Sequence, residues 1–270
     1  MPKVHVHDVE LYYEETGSGA DPKRGAVVFA HGLLFDRRIF EHQVAALSES
    51  YRCIAFDFRG HGETEVTRGG YGMDTLADDA AALIEALGAA PCHFVGLSMG
   101  GFVGLRLASR RPELIRSLVL LDTSADPEPS ENLPRYRLLN LVARLFGLRA
   151  VAGRVMPILF GRTTLAERRD LTALWRDRVA KQDRRGITRA VIGVVERDGV
   201  ADELARIRVP TLVLVGEEDT ATTPEKSERL RHGIAGAELV TIPRAGHMSS
   251  LENPEAVTRA LRDFLARTET

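Results

Sequence analysis

Ser98 stands between two glycines in Gly96-Leu97-Ser98-Met99-Gly100, at the end of the apolar run Cys92 to Leu97 and just ahead of a helical pattern from Gly100 to Arg110. A Gly-x-Ser-x-Gly stretch in that context reads as a nucleophile elbow: a strand turns sharply into a helix, and the serine at the apex is held in strained geometry with its Oγ exposed. Gly96 and Gly100 are the positions where a Cβ would collide with facing backbone. A serine hydroxyl is a weak nucleophile at neutral pH, so it needs a general base, and the base needs an orienting carboxylate.

His247, in Ala245-Gly246-His247-Met248 after the run Glu238 to Ile242, is placed to be that base; the other histidine beyond Ser98, His232, falls in or at the end of a helix. Asp219, three residues past Gly216, is the leading carboxylate, with Glu217 and Glu218 beside it and Asp122 as a second geometrically possible acid. The order serine, acid, histidine, each at the carboxyl end of a strand, is the one that goes with an elbow serine. An oxyanion formed at the attacked carbonyl needs preorganised N–H donors, for which the backbones of Met99 and of Leu33, after His31-Gly32, are the candidates. His31 itself reads as a structural residue of its loop.

The elements that would position these residues alternate. Gly25 to Ala30, Tyr51 to Phe56, Cys92 to Leu97, Arg116 to Leu121, Thr211 to Val215 and Glu238 to Ile242 are short apolar runs of strand type. Helical patterns lie between them at about Arg37 to Leu47, at Asp74 to Leu87 with Gly88 as its cap, and from Gly100. Strand alternating with helix predicts an α/β fold with a parallel sheet covered on both faces. Val4 to Glu15 alternates before Thr16-Gly17-Ser18-Gly19 and predicts an antiparallel strand pair at one edge. Thr223-Pro224 and Asn253-Pro254 each supply an N-cap and a first-turn proline. From Thr123 to Val200 the alternation stops and a broken helical pattern takes its place. The division predicted is therefore a core of residues 1–122 and 201–270, and an inserted helical cap of residues 123–200.

With 270 residues, 44% hydrophobic, 27% charged and a net charge of −2, the chain has ample material for a large core. Met1-Pro2-Lys3-Val4 opens directly into an alternating pattern without the apolar run of a signal or a membrane span, which predicts a cytoplasmic protein with no membrane partner. The two cysteines, Cys53 and Cys92, sit in strand-like runs and read as buried free thiols rather than a disulfide or metal site. There is no P-loop, Cys-x-x-Cys pair or His-Glu-x-x-His, and no Gly-x-Gly-x-x-Gly in the first strand-to-helix turn, so no metal, nucleotide cofactor or nucleic-acid partner is expected.

Ser98, Asp219, His247, His31-Gly32 and Asp57-Phe58-Arg59-Gly60-His61-Gly62 together resemble the α/β-hydrolase family over nearly the whole chain, and Gly-Leu-Ser-Met-Gly-Gly resembles its serine esterase, enol-lactonase and cofactor-free haloperoxidase branch. The resemblance implies a mostly parallel eight-stranded sheet, a helical lid, a cofactor-free active site between them, and an architectural role for the Arg59-Gly60-His61-Gly62 loop. Serine at position 98 departs from the members whose nucleophile is an aspartate. The function expected is hydrolysis of a small carboxylic ester or lactone through an acyl-enzyme; the alternative is a small-molecule receptor on the same fold, in which hydrolysis is slow or incidental.

Two features of the helical segment stay open at this point. Trp175, the only tryptophan, either lines the substrate pocket or packs helix on helix. Between Glu131 and Asp198 there are 15 Lys or Arg against 7 Asp or Glu. Arginines such as Arg168, Arg169, Arg184 and Arg185 either solvate outer helix faces or face the cleft and draw in anionic substrates.

Overall fold

Every residue of Ala26–Ala30, Cys92–Leu97 and Thr211–Gly216 is buried, as short apolar runs must be when helices cover both faces of a sheet. The computed structural model describes residues 2–17 and 21–268. Its strands are β1 (Lys3–Val6), β2 (Val9–Thr16), β3 (Ala26–Ala30), β4 (Arg52–Phe56), β5 (Cys92–Leu97), β6 (Ile115–Leu121), β7 (Thr211–Gly216) and β8 (Glu238–Ile242). They form one eight-stranded sheet in the order β1-β2-β4-β3-β5-β6-β7-β8. β2 is antiparallel to both its neighbours, and every other pair is parallel.

The helices are α1 (Glu41–Leu47), α2 (Met73–Ala86), α3 (Met99–Arg110), α4 (Leu133–Phe146), α5 (Arg149–Leu159), α6 (Arg162–Glu167), α7 (Arg169–Lys181), α8 (Arg184–Val195), α9 (Pro224–Gly233), α10 (Ser249–Glu252) and α11 (Pro254–Arg267). Side chains alternate across the strands, so two cores form. Val28, Phe94, Leu118 and Val213 pack with α2, α3 and α9 on one face. Val27, Phe29, Val95, Val119 and Leu212 pack with α1 and α11 on the other. Five helices, α4 to α8, follow one another between β6 and β7, where no strand occurs. Met156, Leu159, Phe160, Trp175 and Val179 from this segment join the second core, while Ala143, Leu148, Val151 and Ile187 make a smaller cluster of their own.

Local departures from the predicted pattern have local causes. The antiparallel pair turns at His7 and Asp8; Ser18 and Gly19, which close the predicted stretch, lie outside the described residues. The helix expected from Arg37 begins as a 3-10 turn, Arg37–Phe40, because the Asp36 carboxylate accepts from the Arg38 N–H, and α1 starts only at Glu41. Asn253 caps α11 through its side chain, accepting from Ala256 N–H at 3.2 Å, whereas Thr223 precedes Pro224 without a side-chain cap bond. Cys53 and Cys92 are buried free thiols, and burial pushes each up to about 12. Among the described residues no helix is long and apolar enough to cross a membrane.

Candidate active site

β5 delivers Ser98 to the carboxyl edge of the sheet, and the turn into α3 leaves it at φ 52°, ψ −109°, a conformation that costs a side-chain-bearing residue on the order of 1–3 kcal/mol. The flanking glycines permit this. A Cβ on Gly96 would lie 2.3 Å from the Gly100 carbonyl oxygen, and one on Gly100 would lie 2.0 Å from that of Ala30. The first turn of α3 is also pinned to the loop after β3, because Gly100 N–H donates to the His31 carbonyl at 3.1 Å.

β7 and β8 end beside the same edge. Ser98 Oγ lies 2.9 Å from His247 Nε2, and His247 Nδ1 lies 2.9 Å from Asp219 Oδ2. With Nδ1–H donating to the carboxylate, Nε2 is left as the acceptor for the serine hydroxyl. Asp219 is itself oriented: its Oδ1 accepts from the N–H groups of Ala221 at 2.8 Å and Thr222 at 3.0 Å, and its Oδ2 from Thr222 Oγ1 at 2.8 Å. Thr222 Oγ1 also lies 3.1 Å from His247 Nδ1, a contact that sequence reasoning missed although Asp-x-x-Thr is a turn-forming spacing.

The electrostatics separate the two aspartates. Burial would raise the Asp219 carboxyl, but the His247 charge and hydrogen bond together with the Thr222 bonds outweigh it and hold Asp219 below the usual carboxylate range. Asp122 is raised well above that range, first by burial and then by the neighbouring Asp219 charge. Burial would likewise lower His247, yet Asp219 prevails and the imidazole is raised above its ordinary value.

Asp122 does not reach the histidine. It joins the end of β7 to the start of α10, with Oδ1 accepting from Gly216 N–H at 2.8 Å and Oδ2 from Ser249. Glu217 and Glu218 are turned elsewhere, to Arg244 N–H and to Arg162 and Thr163. Glu252, unremarked in the sequence, holds the histidine loop: it accepts from the N–H groups of Gly246 at 3.0 Å, Met248 at 3.1 Å and Gly161 at 2.8 Å. Its signal was weak because a glutamate in a helical stretch reads as solvated surface.

Leu33 lines the space in front of Ser98 and Met99 follows Ser98 at the start of α3, and among the described residues neither backbone N–H has an acceptor. Gly32 brings its loop close: a Cβ there would stand 3.4 Å from Ser98 Cβ. His31 has no ring nitrogen to spare, since Nδ1 bonds the Gly32 carbonyl at 2.8 Å and Nε2 accepts from Phe58 N–H at 3.0 Å. In the next loop, Asp57 accepts from Arg37 and Glu63, and Arg59 forks onto Asp79 at 2.8 Å through both Nε and Nη2, all away from Ser98.

The space in front of Ser98 is a cavity of about 150 Å³ walled mainly by apolar residues, among them Leu139 and Ala143 of α4, Val151 and Val155 of α5, and Ile187 and Val191 of α8. Trp175 is not part of that wall, contrary to its candidacy as a substrate contact. It is 1% exposed, with its ring 5.3 Å from that of Phe35 in the loop after β3 and the Arg178 guanidinium 4.6 Å above it. Arg168, Arg169, Arg184 and Arg185 are exposed and do not line it. Among the described residues no group of three or more His, Cys, Asp or Glu is gathered to hold a metal ion.

The strand order, the single antiparallel strand near one edge and a serine at a strained strand-to-helix turn define the α/β-hydrolase architecture. A model of the α/β-hydrolase fold family matches residues 25–254, and the chain belongs to that family. Among solved structures it is similar to a thermophilic esterase from Thermogutta terrifontis (33% identity, TM-score 0.90, 97% of this chain and 95% of that one). It is also similar to the enol-lactonase from Burkholderia xenovorans LB400 (31% identity, TM-score 0.89, 98% of this chain and 100% of that one). Relatives at 32% identity include a putative carbamate hydrolase of Variovorax paradoxus, covering 95% of this chain and 96% of the relative, and a putative non-heme bromoperoxidase of Mycobacterium tuberculosis, covering 96% and 98%.

Proposed function

We propose that the protein is a serine hydrolase that cleaves a small carboxylic ester or lactone through an acyl-enzyme. The observation that carries this reading is the continuous line of hydrogen bonds from Ser98 through His247 to Asp219, with the serine end opening on an apolar cavity. Ser98 Oγ bonds to the acyl carbon as His247 Nε2 takes the hydroxyl proton, and Asp219 stabilises the imidazolium that results. The Leu33 and Met99 N–H groups receive the oxyanion; as the tetrahedral species collapses, the carbon–oxygen bond to the leaving group breaks and His247 returns the proton to the departing oxygen. Water then repeats the sequence on the acyl-enzyme and releases the acid. Residues 123–200 act as a cap that closes the cavity over the core of residues 1–122 and 201–270. The esterase and enol-lactonase among the similar structures support the substrate class.

The deciding measurement is turnover of p-nitrophenyl esters and simple lactones by wild type and Ser98→Ala, together with a fluorophosphonate probe. Turnover lost in the variant and one covalent mass added at Ser98 are expected. Equal slow release by both proteins would leave a ligand-binding receptor as the better description, and labelling of Ser98→Ala at the wild-type rate would mean another serine reacts.

A further inference from the structure

Apart from His247, the charged residues on the cavity wall among the described residues are two, Glu128 and Arg197. Arg197 is the one Lys or Arg of the segment from Glu131 to Asp198 that lines this cavity, and its side chain is only 3% exposed. Its guanidinium lies 4.2 Å over the ring of Phe102, a cavity residue one helical turn from Ser98. Nη1 donates to the Val194 carbonyl at 2.7 Å and to Glu128 Oε2 at 3.2 Å, while Nε is buried without a partner. Glu128 is held from its other side, because Oε1 accepts from Asn132 Nδ2 at 2.8 Å.

An arginine on the wall of an otherwise apolar cavity would by itself be a carboxylate site, since its fork matches a carboxylate and the low dielectric strengthens the pairing. Here that charge is already met. A second carboxylate entering the cavity would lie beside Glu128, where like charges repel with little water to screen them, or would have to displace it. The guanidinium is also fixed in place by its stack on Phe102 and its bond to Val194, so it is not free to follow an incoming anion.

Resting on the hydrolase reading of the site, we propose that Glu128 determines specificity by occupying Arg197, so that the protein rejects carboxylate-bearing esters and takes those that place an uncharged, apolar group between α4, α5 and α8. A cavity of about 150 Å³ is the size that holds a ring such as benzene, which matches a group of roughly six heavy atoms. Apart from Arg197, the positive charge of the helical segment thus lies outside the cavity and does not select the substrate.

The test compares p-nitrophenyl hexanoate with the mono-p-nitrophenyl ester of adipic acid, which differ by one carboxylate at the chain end. Wild type should prefer the hexanoate in kcat/KM by at least about tenfold, and Glu128→Gln should raise the adipate-to-hexanoate ratio by about tenfold or more, the scale of one buried charged contact. That gain should vanish in Glu128→Gln/Arg197→Gln, where no cation remains to be unmasked. Equal use of both esters by wild type, an unchanged ratio in Glu128→Gln, or a gain that persists in the double variant would each overturn the proposal. Binding to Ser98→Ala, measured by calorimetry with hexanamide and adipic acid monoamide, supplies the same comparison without turnover and without altering Glu128. Tighter binding of hexanamide is expected, and equal or tighter binding of the acid overturns the proposal. If wild type turns over neither ester while that binding preference stands, it is the hydrolase reading that has failed.

Discussion

Asp122 and Asp219 end neighbouring strands, and the difference between them lies in what their oxygens touch. Asp219 spends one oxygen on backbone N–H groups and turns the other to His247 at 2.9 Å, while both oxygens of Asp122 are occupied by Gly216 and Ser249. Replacing a triad aspartate by asparagine removes the acceptor that fixes the imidazole tautomer and costs about 10⁴ in kcat. On the proposed mechanism, Asp219→Asn should therefore lower kcat by about that factor, and Asp122→Asn far less; steady-state kinetics of the two variants on one ester decides it. The raised imidazole gives a second expectation. Protonated His247 cannot accept the serine proton, so kcat/KM on a neutral ester should fall as the pH drops, and the fall should be centred above the ordinary histidine value. A pH profile from 5 to 9 measures it, and Asp219→Asn should move the fall to lower pH. Ser98 and His247, which the structure brings together, could be picked out as candidates in the sequence because each is marked by neighbours, glycines for one and a strand end for the other. Asp219 was legible only as one of several carboxylates, since the direction in which a loop carboxylate points depends on backbone turns such as the one made with Ala221 and Thr222.

Elements were read best where one constraint dominates. β3, β5 and β7 are apolar throughout because both of their faces are covered, and the turn from β5 into α3 is marked by the glycines it requires. The same turn makes a sharp prediction: Gly100→Ala places a Cβ 2.0 Å from the Ala30 carbonyl oxygen, so β3 and α3 must part. It should cost about 1–3 kcal/mol in denaturant unfolding and reduce labelling of Ser98 by a fluorophosphonate, because the elbow is displaced. Helices α4, α5 and α8 were legible as helices but not as a cavity wall. Leu139, Val151 and Val191 have the spacing of any core-facing residue, and only the angle at which their helices cross decides whether they meet side chains or open space. Trp175 illustrates the converse, an aromatic in the helical segment that packs into the second core and not onto the cavity.

At the scale of the whole molecule, the chain has two cores divided by one sheet, and α5 and α7 extend the second of them through Met156, Leu159, Trp175 and Val179. Trp175→Ala should cost about 3–5 kcal/mol of global stability, as a large buried aromatic does, while leaving the hexanoate-to-adipate preference unchanged because the indole lies off the cavity wall. Trp175 is also the only tryptophan in the chain, buried at the seam where α7 meets Phe35. Its fluorescence therefore has a single source and a single meaning: emission shifts to the red when α7 lifts from Phe35 and water reaches the indole. Melting followed at the same time by this emission and by far-ultraviolet circular dichroism reports whether the helices between β6 and β7 leave with the sheet or ahead of it.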